Sequence, residues 1–130
     1  MPPSRPDLVH RAICAGTMGQ IEWKQSAEER VRKDPRMKRF TPHGIRLYLH
    51  EWVLDHRGTI ETREETDADW RAEYPDDPWW YFSIILLKEV VEELPDGVFV
   101  KMKLLDPEDD TDPWVQIISC HEQIDMTGSR

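Results

Sequence analysis

The chain is short of the residues that ordinarily announce a chemistry. It has only 2 cysteines in 130 residues, Cys14 and Cys120 near opposite ends. With no C-x-x-C spacing they support neither a zinc site nor a redox pair and read as reduced structural thiols. The N-terminus has no apolar stretch of the secretory kind, and the longest near-continuous apolar run, Trp79 to Leu87, is too short to cross a bilayer. The expectation is therefore a cytoplasmic chain without a membrane segment. No internal repeat or low-complexity domain is visible, and the length suits one ordinary domain rather than a two-domain enzyme. The acidic run 106–112 lacks the spacing and internal glycine of an EF-hand. No metal ligand set and no cofactor are expected.

Charge is what the chain has in quantity, and it is unevenly placed. Residues 1–57 hold 11 Lys/Arg against 7 Asp/Glu, a net +4, whereas residues 58–130 hold 6 against 19, a net −13. Within the first half, Arg30, Arg32, Lys33, Arg36, Lys38 and Arg39 are offset only by Asp34. Such a cluster can follow a phosphate backbone, as in single-stranded RNA, or it can be a solvated helix face paired with the chain's own acidic half. The acidic segments 61–77 and 106–112 have the opposite affinity and suit a basic protein partner.

Hydropathy divides the chain at the same place. Residues 1–6 read as a flexible tail, 7–57 as mainly helical, 58–123 as mainly β-sheet and 124–130 as a second tail, in one domain over 1–130. Asp7 is a plausible cap for a helix through Cys14, Gln20 to Trp23 reads as a short strand, and Ser26 can cap a helix to about Asp34, where Pro35 interrupts it. The best-marked helix opens at Thr41-Pro42 and stops before Gly58. At 100° per residue it places Ile45, Tyr48, Leu49, Trp52 and His56 on a packing face, and His43, Arg46, His50 and Arg57 on a cationic one.

From Thr59 the period becomes two, with strands over 59–65, 79–87, 98–105 and 114–121. Pro95-Asp96-Gly97 reads as a hairpin turn, with 88–94 extending the preceding strand past a bulge near Lys88 or forming a short helix. The run 79–87, apolar on both faces, belongs in the middle of the sheet with the long helix over one side. Residues 67–78 read as an acidic connection anchored by Trp70 and Tyr74. The fold class is α+β, with N-terminal helices packed on a C-terminal antiparallel sheet of about four strands.

Metal-independent RNA cleavage needs a base for the 2′-hydroxyl proton, an acid for the leaving oxygen and cations for the charge that develops on phosphorus. His43, His50, Lys101 and His121 are the residues here with those capacities, provided that they converge, and Lys103 shares the strand of Lys101. Arg30, Arg32, Lys33, Arg36, Lys38, Arg39, Arg46 and Arg57 are the candidates for holding the RNA backbone. Cys120 and His121 alternate to opposite faces of their strand, which makes them a poor nucleophile pair.

Gly19-Gln-Ile-Glu-Trp23 stands before Ser26-Ala-Glu-Glu-Arg30, a helix ends at Gly58-Thr-Ile60, and Val98-Phe-Val-Lys101 and Val115-Gln-Ile-Ile-Ser119 are the closing strands. This order of parts resembles the small RelE-like ribonuclease toxins, in particular their BrnT and MqsR branches. The resemblance implies a metal-independent endoribonuclease of a toxin–antitoxin pair, or an inactive descendant of one. Arg30 carries over from the family's His-Ala-x-x-Arg, whose histidine is Ser26 here, and Lys101, Lys103 and His121 correspond to the cations on its closing strands. Two alternatives stand beside it. One is a non-enzymatic acidic adaptor, immunity or inhibitor protein that covers a basic partner with residues 61–77 and 106–112. The other is a homodimer sealed by aromatics around Trp79-Trp80.

Overall fold

The computed structural model describes residues 4–55, 60–86 and 94–123. Helix α1 spans Arg5–Cys14, strand β1 Ile21–Trp23, helix α2 Gln25–Lys33, and a 3-10 turn Pro35–Met37 leads to helix α3, Pro42–Leu54. Strand β2, Glu61–Glu64, and the short helix α4, Ala68–Glu73, precede strands β3, Trp79–Ile85, β4, Val98–Leu105, and β5, Trp114–Glu122. The fold is α+β.

The helix starts follow from their capping chemistry. Ser4 accepts the Asp7 amide at 3.2 Å while the Asp7 carboxylate accepts the Ser4 amide, a capping box that puts Asp7 inside the first turn rather than at the cap. Residues 4–6, expected in a tail, thus belong to a capped helix start. Thr41 Oγ1 accepts the Gly44 amide at 2.9 Å, with Pro42 in the first turn of α3. Helix α2 starts one residue before the expected cap Ser26, and its own cap position, Lys24, makes no side-chain bond to the helix end. The stop at Gly58, the packing of His56, the position of Arg57 and the bulge near Lys88 all lie outside the described residues.

The strands form one sheet in the order β1-β5-β4-β3-β2. Its last three neighbours pair antiparallel, while β1 lies parallel to β5 with Ile21 opposite Val115 and Trp23 opposite Ile117. The sheet is thus mixed and one strand wider than expected. The extra strand is the short Gln20–Trp23 segment, whose partner is more than 90 residues distant and so invisible to local pattern. The centre is β4 rather than β3.

Alternation along β4 sets the two layers. Val98, Val100, Met102 and Leu104 face α1, α2 and α3 and join a buried cluster with Val9, Ile13, Val31, Ile45 and Leu49. Each such side chain adds about 1.5–3 kcal/mol of hydrophobic stabilisation. Between Lys101 and Met102 the pairing with β5 shifts by one, with Ser119 opposite Lys101 and Ile117 opposite Met102. Ile118 is the extra residue of this bulge, which lets Ser119 and His121 keep the face of Lys101.

Gly97 closes the β4 hairpin at φ +88°, and its amide donates to the Leu94 carbonyl at 2.7 Å. A Cβ there would lie 2.6 Å from Leu86 Cδ2 and 2.7 Å from the Ile85 carbonyl oxygen. Gly97→Ala is expected to lower stability by about 2 kcal/mol or more in chemical denaturation, from left-handed strain and this collision together.

Candidate functional site

The expected cationic face of α3 is an internal one. His50 is only 4% exposed, and its Nδ1–H donates to the Ile13 carbonyl at 2.7 Å. Arg46, half-buried, donates from Nη2 to the Gly19 carbonyl at 3.1 Å. Both side chains fasten α3 to α1 and the turn after it. One helix's periodicity shows which residues avoid water, but α3 has a second neighbour on the flank where these residues lie. His43, in the first turn, is exposed.

Lys101 and His121 occupy the opposite face of the sheet. The four residues proposed for acid–base work are therefore split by the sheet, His43 and His50 in the helix layer and Lys101 and His121 beyond it. The basic cluster is on the helix side as well. Arg30, Arg32, Lys33, Arg36, Lys38 and Arg39 are all exposed, and part of their charge is already met internally. Arg32 pairs with Glu28 at 2.9 Å and Arg36 with Glu122 at 2.5 Å, while the Asp34 carboxylate takes the Arg36 amide.

The face carrying Lys101 has a run of rings. Trp80, Phe82, Phe99 and His121 follow one another with centroids 5.2, 5.4 and 5.0 Å apart and planes inclined by 35°, 31° and 23°. The Phe99–His121 pair is stacked, while cations lie over the other two rings, Lys101 over Trp80 and Arg63 over Phe82. The His121 Nδ1–H donates to the Glu122 carbonyl at 2.8 Å, which directs Nε2 away from that bond.

Beside this run lies a group of buried and half-buried charges. Lys103 is fully buried, its Nζ donating to the Trp79 carbonyl at 2.7 Å and lying 3.1 Å from Glu65 Oε1 and 5.7 Å from the Tyr74 ring. Glu65 is also 3.8 Å from Lys101, whose ammonium sits 4.5 Å over Trp80 and 5.6 Å over Trp70. Burial holds the Lys101 amine below its ordinary pKa against the pull of Glu65. Tyr74 bonds Gln116, and burial, then Glu73 and Glu22, push its phenol up to about 12.

Asp77 closes the group from below. Its carboxylate accepts the Leu104 amide, the Trp79 amide and the Tyr81 hydroxyl, with Arg5 3.6 Å away. Burial nevertheless raises its pKa, with those hydrogen bonds and Lys103 opposing the shift. Glu65 and Asp77 sit in a segment that reads as a solvated acidic connection, so nothing local marks them as buried. Lys103 has one local signal, a lysine in step with Lys101 on an otherwise apolar strand.

The two acidic segments meet at the end of the sheet where β4 finishes. Glu73, Asp76 and Asp77 on one side and Leu104 to Pro107 on the other line a single groove of about 140 Å³. The loop 106–112 carries five carboxylates and no base. Thr111 draws the Asp109 carboxyl below its usual pKa by donating to it from hydroxyl and amide. Trp79 is exposed.

Cys120 is buried and its thiol is pushed up by desolvation, in keeping with an inert structural role. Cys14 is half-buried, 4.0 Å from both ring nitrogens of His10. Among the described residues, no three His, Cys, Asp or Glu side chains are grouped to hold a metal ion, and no helix is long and apolar enough to cross a membrane. No protein-family model matches the chain, and neither does any curated protein or solved structure at a significant level.

Removing the Asp77 carboxylate strips three donors of their acceptor in a buried place. Asp77→Ala should therefore lose about 3 kcal/mol in urea unfolding. His50→Ala should lose about 2 kcal/mol through the orphaned Ile13 carbonyl and the vacated volume, as a residue of structure rather than of a reactive cleft.

Proposed function

We propose that the chain is a non-enzymatic acidic adaptor, of the immunity or inhibitor kind, that binds a basic protein through residues 61–77 and 106–112. The observation that carries this reading is the shared groove, in which two acidic segments about 30 residues apart in sequence stand side by side. A single exposed carboxylate contributes little to affinity, but a concentrated field of one sign raises the association rate and rejects partners of like charge. Asp67, Asp69, Glu73, Asp76, Asp106, Glu108, Asp110 and Asp112 are all exposed and supply that field. The basic cluster at 30–39, partly neutralised by Glu28 and Glu122, takes no part.

Captured on a basic protein such as a nuclease, the chain should lose affinity steeply between about 0.05 M and 0.2 M salt, with the loss in the association rate. Asp76→Lys with Asp106→Lys should weaken binding more than tenfold, whereas Arg32→Gln with Lys33→Gln should leave it within twofold, both read by surface plasmon resonance at fixed ionic strength. Binding that ignores both salt and the acidic pair would end the adaptor reading.

A second reading is favoured by one observation, the common face of Lys101 and His121. Phe99 pairs with His121 and Lys101 with Ser119, so the lysine and the histidine are diagonal neighbours, about 7–8 Å apart at the backbone. With Nδ1–H committed to the Glu122 carbonyl, His121 has Nε2 to take up the 2′-hydroxyl proton, and the Lys101 ammonium, made a stronger acid by burial, can give a proton to the leaving oxygen. Such a ribonuclease would work without His43 or His50. Single-stranded RNA incubated in EDTA should then be cut by the parent chain and by His43→Ala, and not by His121→Ala or Lys101→Ala. Uncut RNA from the parent chain refutes it.

A further inference from the structure

Helix α4 has no buried residue, yet it lies against the sheet. The base of its segment is pinned, because the Glu65 amide donates to the Pro78 carbonyl at 2.8 Å and Asp77 is buried. Its tip is held differently. Lys24, at the start of α2, forms an ion pair with Glu73 and places its ammonium 5.8 Å from the Trp70 ring centroid. The same ring receives the Lys101 ammonium from β4, and Tyr74 bonds Gln116 from β5. Both members of the Lys24–Glu73 pair reach solvent, with side chains 26% and 44% exposed.

A carboxylate beside an indole face is the chemistry that receives an alkylammonium group. We infer that Trp70 and Glu73 form a subsite for a lysine side chain of the basic partner, and that Lys24 is its intramolecular occupant. The inference rests on the adaptor reading and adds to it the residue type recognised and a built-in competitor. A partner lysine enters by displacing Lys24, so binding loosens α4 from α2 and affinity is set partly by the strength of the internal clasp. No bond is made or broken. The exchange trades one ammonium for another at the same carboxylate and ring, which keeps the resting clasp weak enough to yield. An exposed cation–π contact and an exposed ion pair each change an affinity by no more than about fivefold.

The test uses an octalysine peptide as the probe and the full chain. Lys24→Gln should bind the peptide about three to ten times more tightly than the parent, by calorimetry at low salt, whereas Lys38→Gln, which removes the same charge on the far side of the sheet, should gain less than twofold. The gain should vanish in Lys24→Gln with Trp70→Leu. In the absence of peptide, amides of residues 68–74 should exchange hydrogen several times faster in Lys24→Gln than in the parent. Equal affinities for Lys24→Gln and Lys38→Gln would overturn the subsite while leaving the adaptor reading in place. If no variant binds the peptide, the adaptor reading and the subsite fall together. Unchanged exchange over 68–74 in Lys24→Gln would show that Lys24 does not clasp α4, and would overturn the inference by itself.

Discussion

The structure turns on a lysine at the heart of its central strand. Lys103 is fully buried on β4, and an ammonium taken out of water costs several kcal/mol unless its charge and its protons are met. The Trp79 and Asp77 carbonyls and the Glu65 carboxylate meet them. Each of these groups lies at the root or the end of the segment that joins β2 to β3. The requirement to neutralise one buried cation therefore dictates how that acidic segment is folded back on the sheet, and with it where Trp70, Tyr74 and Glu73 come to rest.

The same strand divides the molecule. Its apolar alternate residues close the helix layer into a core of the usual aliphatic kind, and its polar alternates turn the other face into a surface of lysines, rings and carboxylates. A residue's capacity for chemistry then depends on which side it falls. His50, with an ordinary acid–base side chain, is spent on holding two helices together, and His121, on the other face, keeps one nitrogen clear of its bond to the Glu122 carbonyl. Separation by the sheet is a stronger argument against a four-residue catalytic group than any single burial value, because no side-chain rotation can carry a group through a packed layer.

The surface charges are arranged by position along the strands. The acidic groove adjoins the Leu105 end of β4, whereas Arg36 reaches Glu122 at the far end of β5. Among the described residues the two halves of opposite charge meet in ion pairs that include Lys24 with Glu73, Arg36 with Glu122 and Arg5 with Asp77. The bulk of the negative field faces solvent. This favours a partner of opposite sign over a polyanion, whose approach the net charge opposes at long range.

Local pattern was enough for much of this. The proline after Thr41, the change of period beyond the helix that it opens, the Pro95-Asp96-Gly97 turn and the lone short strand at Gln20 to Trp23 each report a preference that a few neighbouring residues enforce through dihedral angles and exposure, and each is present in the fold. So is the opposition between a basic and an acidic half. Tertiary structure alone decided that the short strand joins β5 in parallel, that the flank of α3 bearing His50 meets α1, and that Glu65 and Asp77, in a run of solvated acids, are the two that go inside. A carboxylate or an imidazole looks the same in sequence whether it faces water or a distant partner. Its burial is a property of the pair, and the partner is chosen by the packing of the whole chain.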